Sequence, residues 1–313
     1  MRIREDGMGK IRFAERTDGF CGLLSQKAGK AVIILTEDEY PDMFLVKKGM
    51  KWINQMGCSA LGIGPEKSMK GLHSWPLESV ENAVRYLKGV GYEKIGICGM
   101  SSGSNMALSA AARIPDITLT IGMTPMDWVY WGTYKDGLDG APERPADGES
   151  AYTWRGEPLP YMHPPYLDYW NQVKAEAKRR GDMVAALDFH DLAEKKQPLT
   201  EDIMIPIENI QGRILLAGAE DDVLWDTCRG IRRMEKRLKE KEHSCRCETL
   251  IYQHCSHFIF PESLIKLIIP AAAYDLLLPL IFKETKGCVK ECRESRIDFE
   301  AHIRAAVREW IEE

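Results

Sequence analysis

Apolar runs of six to eight residues recur along the chain, and between them apolar positions return every three or four residues. AVIILT (31–36), SALGIG (59–64), KIGICGM (94–100), ITLTIGM (117–123), GRILLAGA (212–219) and CETLIYQ (247–253) read as strands. Strands alternating with helical stretches predict an α/β fold, a mostly parallel central sheet flanked by helices. The clearest helix is WPLESVENAVRYLKGVG (75–91), with Pro76 in its first turn, Val80, Val84 and Leu87 on one face, and Gly89 and Gly91 at its end. KIRFAERTDGFCGLLSQKAGK (10–30) reads as a hairpin for the sheet edge. RIDFEAHIRAAVREWIEE (296–313) reads as a C-terminal helix that packs on the domain or forms a dimer contact.

Residues 124–200 break this rhythm. They hold eleven of the 27 aromatic residues and eight of the 16 prolines, with little period before about Tyr166. An insert this long between strands is functional or disordered, and its aromatic content argues against disorder. The expected organisation is one domain, residues 1–313, with a cap insertion at about 124–205 folded over a pocket.

Composition narrows the partners. A 44% apolar fraction supports a substantial core, and a net charge of −5 excludes a general nucleic-acid surface. The densest basic stretch, Arg229 to His243, alternates Lys and Arg with Glu at helical spacing and reads as a solvated helix face. The charged N-terminus does not resemble an export signal, and no segment reaches the roughly 18 uncharged apolar residues of a membrane helix. The longest apolar run, 264–282, is interrupted by Lys266, Pro270, Asp275 and Pro279 and reads as a buried helix pair. Nine cysteines without secretory context point to reduced thiols and a cytoplasmic setting. Cys245 and Cys247 (C-x-C) and His254 and His257 (H-x-x-H) match no common zinc framework, so no metal is expected, and no cofactor.

The chemistry concentrates at ICGMSSGSNMALSAAAR (97–113). Gly99, Ser101 and Gly103 form G-x-S-x-G between a strand and a helix, the setting in which a serine sits on a strained elbow as a nucleophile. The helix beginning at Ser102 turns its N–H groups toward the site, making the Ser102 N–H an oxyanion donor. A serine nucleophile needs a histidine base and an acid to orient it, in the chain order Ser, Asp or Glu, His. LLAGAEDDVLWD (215–226) supplies Asp222, with Asp221 as the alternative, and LIYQHCSHFIFPE (250–262) supplies His257, with His254 less suited because it sits at the strand end. A second oxyanion donor is expected after AVIILT, near Glu37 or Asp38 in the acidic loop TEDEYPD (36–42).

Three pieces then resemble one family: the elbow GMSSG, the acid motif EDDVLW, and RGEPLPYMHPP (155–165). Over roughly residues 30–280 the chain is similar to the α/β-hydrolase domain of acyl-CoA thioesterases and bile acid-CoA:amino acid N-acyltransferases. The resemblance implies an α/β-hydrolase fold, Asp222 as the acid and His257 as the base. Departures are the TEDEYPD loop in place of a glycine-rich one, Ser102 in place of a lysine, and no all-β domain ahead of the hydrolase. A serine nucleophile favours transfer of the acyl group to water. The expectation is a serine acyl hydrolase acting on a small-molecule ester or thioester, with Trp128, Trp131, Trp154 and Tyr161 shaping the acyl pocket. A peptidase of the same fold and a non-catalytic acyl-binding module are the alternatives, and homo-oligomerisation is open.

Overall fold

The structure is a computed structural model and describes residues 10–137, 143–165 and 168–313. The charged stretch before Lys10, part of the reading against an export signal, and Tyr166 lie outside the described residues.

Eight strands form the central sheet: β1 (Lys10–Phe13), β2 (Gly22–Ser25), β3 (Ala31–Thr36), β4 (Ser59–Ile63), β7 (Lys94–Met100), β8 (Leu119–Met123), β13 (Arg213–Ala219) and β14 (Arg246–Tyr252). Their order is β1-β2-β4-β3-β7-β8-β13-β14. β2 runs antiparallel to β1 and β4, and every other pairing is parallel. All six predicted strands are present, and the N-terminal hairpin lies at the sheet edge, its strands joined by the short α1 (Glu15–Asp18).

Alternation along the strands sorts the core into two layers. Val32, Ile34 and Ile97 face α3 (Glu78–Gly89), α4 (Ser102–Ala111) and α7 (Thr227–Glu240). Ile33, Leu35, Cys98 and Leu215 face α2 (Phe44–Gln55), α8 (Glu262–Ile268) and α10 (Val289–Glu312). Each large apolar side chain so buried contributes about 1.5–3 kcal/mol. The C-terminal helix packs on the sheet, burying Phe299, Ile303, Val307 and Trp310, and the Trp310 indole donates to Thr118 Oγ1 at 2.9 Å.

Between β8 and β13 lie β9 (Trp131–Tyr134), β10 (Arg144–Ser150), β11 (Tyr152–Trp154), β12 (Glu157–Pro158), α5 (Tyr169–Arg180) and α6 (Leu187–Lys196). This segment is completed by residues far from it in sequence. β5 (Gly71–Leu72) pairs with β9, and β6 (Trp75–Pro76) pairs with β11. Trp75 and Pro76 therefore do not begin the helix expected there. The flanking N–H groups of Trp75 and Leu77 donate to Ala151 and Thr153 carbonyls, and Pro76, lacking an N–H, fits the unbonded position between them.

Two further expectations change. The apolar run forms the expected helix pair, α8 and α9 (Ala271–Ile281), but α9 leaves Leu276 and Leu280 exposed. On α7 the basic residues are not all solvated. Arg233 pairs with Asp127, which is 1% exposed, and with Glu194; Arg237 pairs with Glu208. These guanidinium groups tie the 124–210 segment to the helix layer.

Replacing Arg233 with Ala leaves the Asp127 carboxylate buried without its cation, so urea unfolding is expected to show a loss of about 3–5 kcal/mol. A loss below about 1 kcal/mol would mean that the pair does not anchor the segment.

Candidate active site

Parallel strands end at one edge of the sheet, and the loops leaving that edge carry every predicted chemical residue. Ser101 follows β7, Asp222 follows β13 and His257 follows β14. Ser101 takes φ 57° and ψ −124°, a region unfavourable for a side-chain-bearing residue. Its surroundings enforce this. A Cβ on Gly103 would collide with the Thr36 carbonyl oxygen, and a Cβ on Gly99 with the Gly103 carbonyl. The Thr36 hydroxyl points at the carbonyls of Gly103 (2.7 Å) and Cys98 (3.0 Å), and the Ser101 N–H donates to Met123 (2.9 Å).

Three side chains then line up. Asp222 Oδ2 accepts from His257 Nδ1 at 2.8 Å, and His257 Nε2 accepts from the Ser101 hydroxyl at 2.9 Å. With its Nδ1 proton on Asp222, the imidazole presents a bare Nε2 to the serine. Asp222 and His257 side chains are each 1% exposed, so water does not compete for this bond. The other oxygen of Asp222 accepts the N–H groups of Leu224 (2.9 Å) and Trp225 (3.4 Å).

The neighbouring acid has a separate task. Asp221 Oδ1 accepts the N–H groups of Cys255 (3.0 Å) and Ser256 (2.7 Å), and so holds the loop carrying His257. Ser256, immediately before the imidazole, is held at φ 62°. His254 faces Asp221, 3.4 Å away, and does not reach Ser101. Of the alternatives left open by the sequence, the geometry brings Asp222 and His257 to the serine.

An aromatic cluster backs the imidazole. The Trp225 ring lies edge-on to His257, with centroids 4.8 Å apart, and its indole N–H donates to the Thr124 carbonyl at 3.2 Å. His190, buried behind Trp225, has its Nδ1 against the Ala186 and Leu224 carbonyls and its Nε2 against the Tyr130 hydroxyl. Burial pushes its pKa down to about 4, so it is neutral across the physiological range. Thr36, His190 and the loop-holding role of Asp221 were not found from the sequence. The tryptophan of the acid motif EDDVLW, Trp225, was the one available signal for this cluster.

The other predicted residues fall as follows. The Glu37 N–H donates to the Ile63 carbonyl at 3.2 Å, which removes it as an oxyanion donor. Ser102 opens α4 directly after the serine, as expected. Trp128 and Trp131 are 1% and 0% exposed and stack on Tyr130, with Trp131 also against His190. Trp154 lies beneath the Arg155 guanidinium, and Tyr161 packs on His163. All four are engaged in packing.

The acidic loop changes character in the folded chain. Burial, reinforced by Asp38 and Glu39 and opposed by Lys135, pushes the Glu37 carboxyl up to about 8. Burial and the nearby Asp38 raise Glu143 to about 7. Lys135 sits between Asp38 (3.4 Å) and Glu39 (3.6 Å). Near pH 7 the Glu37 carboxyl is therefore largely neutral.

Comparison with known proteins agrees with this architecture. Residues 148–264 match the family described as BAAT / Acyl-CoA thioester hydrolase C terminal, a stretch that contains Asp222 and His257 and ends short of Ser101 on the N-terminal side. No curated protein matches the chain. Among solved structures, DcsB in complex with its substrate analogue superposes with a TM-score of 0.50 at 13% identity, covering 99% of this chain and 98% of that one. An esterase of Pyrococcus furiosus, Pf2001, gives 0.49 at 11% identity over 93% and 88%. Est1E from Butyrivibrio proteoclasticus gives 0.40 at 15% over 84% and 96%. The fold is that of the α/β hydrolases.

A carboxyl raised from 4.5 to about 8 keeps, in the folded chain, a proton that the unfolded chain has already released. Stability therefore falls as pH rises from about 4.5 to about 8, and Glu37→Gln should flatten that decline in urea titrations. The same substitution should remove a fall in turnover above pH 8, where ionised Glu37 places negative charge at the end of β3. An unchanged alkaline limb in Glu37→Gln would exclude this carboxyl as its source.

Proposed function

We propose that the chain is a serine acyl hydrolase that cleaves an ester or acyl thioester through a covalent acyl-enzyme. The observation that carries this reading is the unbroken hydrogen-bond relay from Asp222 through His257 to a serine held at positive φ. In the first step, Ser101 Oγ attacks the acyl carbonyl while His257 Nε2 takes its proton, and Asp222 stabilises the resulting imidazolium. His257 returns that proton to the leaving alcohol or thiol. Water, deprotonated by the same nitrogen, then cleaves the acyl-serine and restores the hydroxyl.

The oxyanion is held by the Ser102 N–H at the start of α4 and by the N–H of Asp38, the position that remains in the loop once Glu37 is occupied. A neutral Glu37 carboxyl and a lysine between Asp38 and Glu39 keep the acidic loop compatible with a developing anion. That removes the main argument for a non-catalytic binding module. The segment at 124–205 acts as the cap, anchored through Arg233 and through β5 and β6. The family matched by residues 148–264 carries thioester hydrolysis in its description, which supports an acyl thioester as one substrate class.

Ser101→Ala should lower turnover of p-nitrophenyl esters and acyl-CoAs by at least about 10³-fold with an unchanged fold. Covalent labelling by a fluorophosphonate should disappear with it. Labelling that persists in Ser101→Ala, or a wild-type chain that never labels, would overturn the assignment; the preferred leaving group in the wild type separates ester from thioester.

A further inference from the structure

Beside the loops that carry Asp222 and His257, a second group of side chains converges. Asp221, Cys288 and Cys292 bring a carboxylate oxygen and two sulfurs within 4.8 Å of one another. Cys288 and Cys292 are four residues apart at the start of α10, so both thiols project from one face of its first turn. Asp221 Oδ1 is occupied by the backbone of Cys255 and Ser256, whereas Oδ2 is buried and has no hydrogen-bond partner. His254 Nδ1 is likewise buried and without a hydrogen-bond partner, although it lies 3.4 Å from that same oxygen.

A buried carboxylate oxygen and a buried imidazole nitrogen, close together and not bonded, are costly to leave alone. Their separation is the edge of a tetrahedron whose centre lies about 2.1 Å from each, the bond length zinc takes to nitrogen and oxygen. We propose that Asp221, Cys288 Sγ and Cys292 Sγ form a binding site for a zinc-type divalent cation, and that the imidazole of His254, placed beside Asp221, moves in to complete it. The donor set is one that a borderline-soft tetrahedral ion accepts, and four protein ligands make the site structural.

Binding is balanced by protons. The two thiols each release one proton as sulfur bonds to the ion, and the imidazole binds in its neutral form. Two thiolates, one carboxylate and a divalent ion leave one net negative charge. The Arg296 guanidinium, one turn beyond Cys292 on α10 and 0% exposed, lies nearby but already pairs through Nη2 with Asp275 (2.8 Å) and Glu262 (3.5 Å), so the site keeps that one negative charge.

The site joins three segments: the loop after β13 that carries Asp222, the loop after β14 that carries His257, and the C-terminal helix. The Ser295 hydroxyl, donating to the His254 carbonyl at 2.7 Å, already fastens two of them. A cation here holds the acid and base loops in register without touching substrate. Cys245 and Cys247, the pair that drew attention in the sequence, take no part.

The test is metal analysis of the full chain, reduced and dialysed against Zn2+ or Co2+. One ion per chain is expected. The Co2+ form should show the thiolate charge-transfer absorption and intense visible bands of a tetrahedral sulfur site. Cys288→Ser, at a half-buried position, should abolish uptake with an unchanged circular dichroism spectrum, and Cys292→Ser should do the same. His254→Ala should weaken binding at least tenfold, while Cys247→Ser should retain one ion. Substoichiometric uptake by the wild type overturns the site. So does full uptake by folded Cys288→Ser, unchanged affinity in His254→Ala, or a Cys288–Cys292 disulfide in a protein that takes up no zinc after reduction.

Discussion

The close approach of Gly103 to the Thr36 carbonyl governs the geometry at this edge of the sheet. Only a residue without Cβ lets the start of α4 rest against the end of β3, and the Thr36 hydroxyl then fastens the Gly103 carbonyl in place. Ser101 is caught between these contacts and the hydrogen bond to Met123, and is driven to positive φ. That strain lifts its hydroxyl off the helix toward His257. The cost of such a conformation is of order 1–3 kcal/mol, and the buried strands on either side of β7 are what sustain it.

Two adjacent aspartates divide the remaining work. Asp222 faces the imidazole and Asp221 faces the backbone behind it, so one short loop sets both the hydrogen-bond partner of His257 Nδ1 and the position of that imidazole. The Trp225 ring closes the space beside His257, and neutral His190 fills the layer beyond without adding charge near the imidazole. At the other side of the serine, burial pushes the Glu37 carboxyl up to about 8, so this one carboxyl of the acidic loop is largely neutral near pH 7.

Much of this was legible in the chain. Buried parallel strands are largely apolar runs, so five of the six strand positions were plain, the edge strand β14 reading more from its alternation, and the G-x-S-x-G motif between a strand and a helix placed the serine. The order Ser101, Asp222, His257 followed from the loops after those strands. What could not be read depended on contacts between distant segments. Trp75 and Pro76 carry a helix-start pattern, yet pair with Tyr152 and Thr153, some eighty residues away. Arg233 and Arg237 look solvated until Asp127 and Glu208 are folded beneath them. Glu37 seemed suited to the oxyanion because its loop position is right, but its N–H belongs to the Ile63 carbonyl. The tryptophans of the insert announced a packed segment, and Trp128 and Trp131 stack on one another inside it.

The most direct measurement is acid-quench mass spectrometry during turnover of an activated ester. The relay predicts one acyl group added to the tryptic peptide Ile95–Arg113, located on Ser101, at a rate no slower than steady-state product release. Turnover with no adduct, or with the acyl group on another residue, would contradict a serine nucleophile at this site.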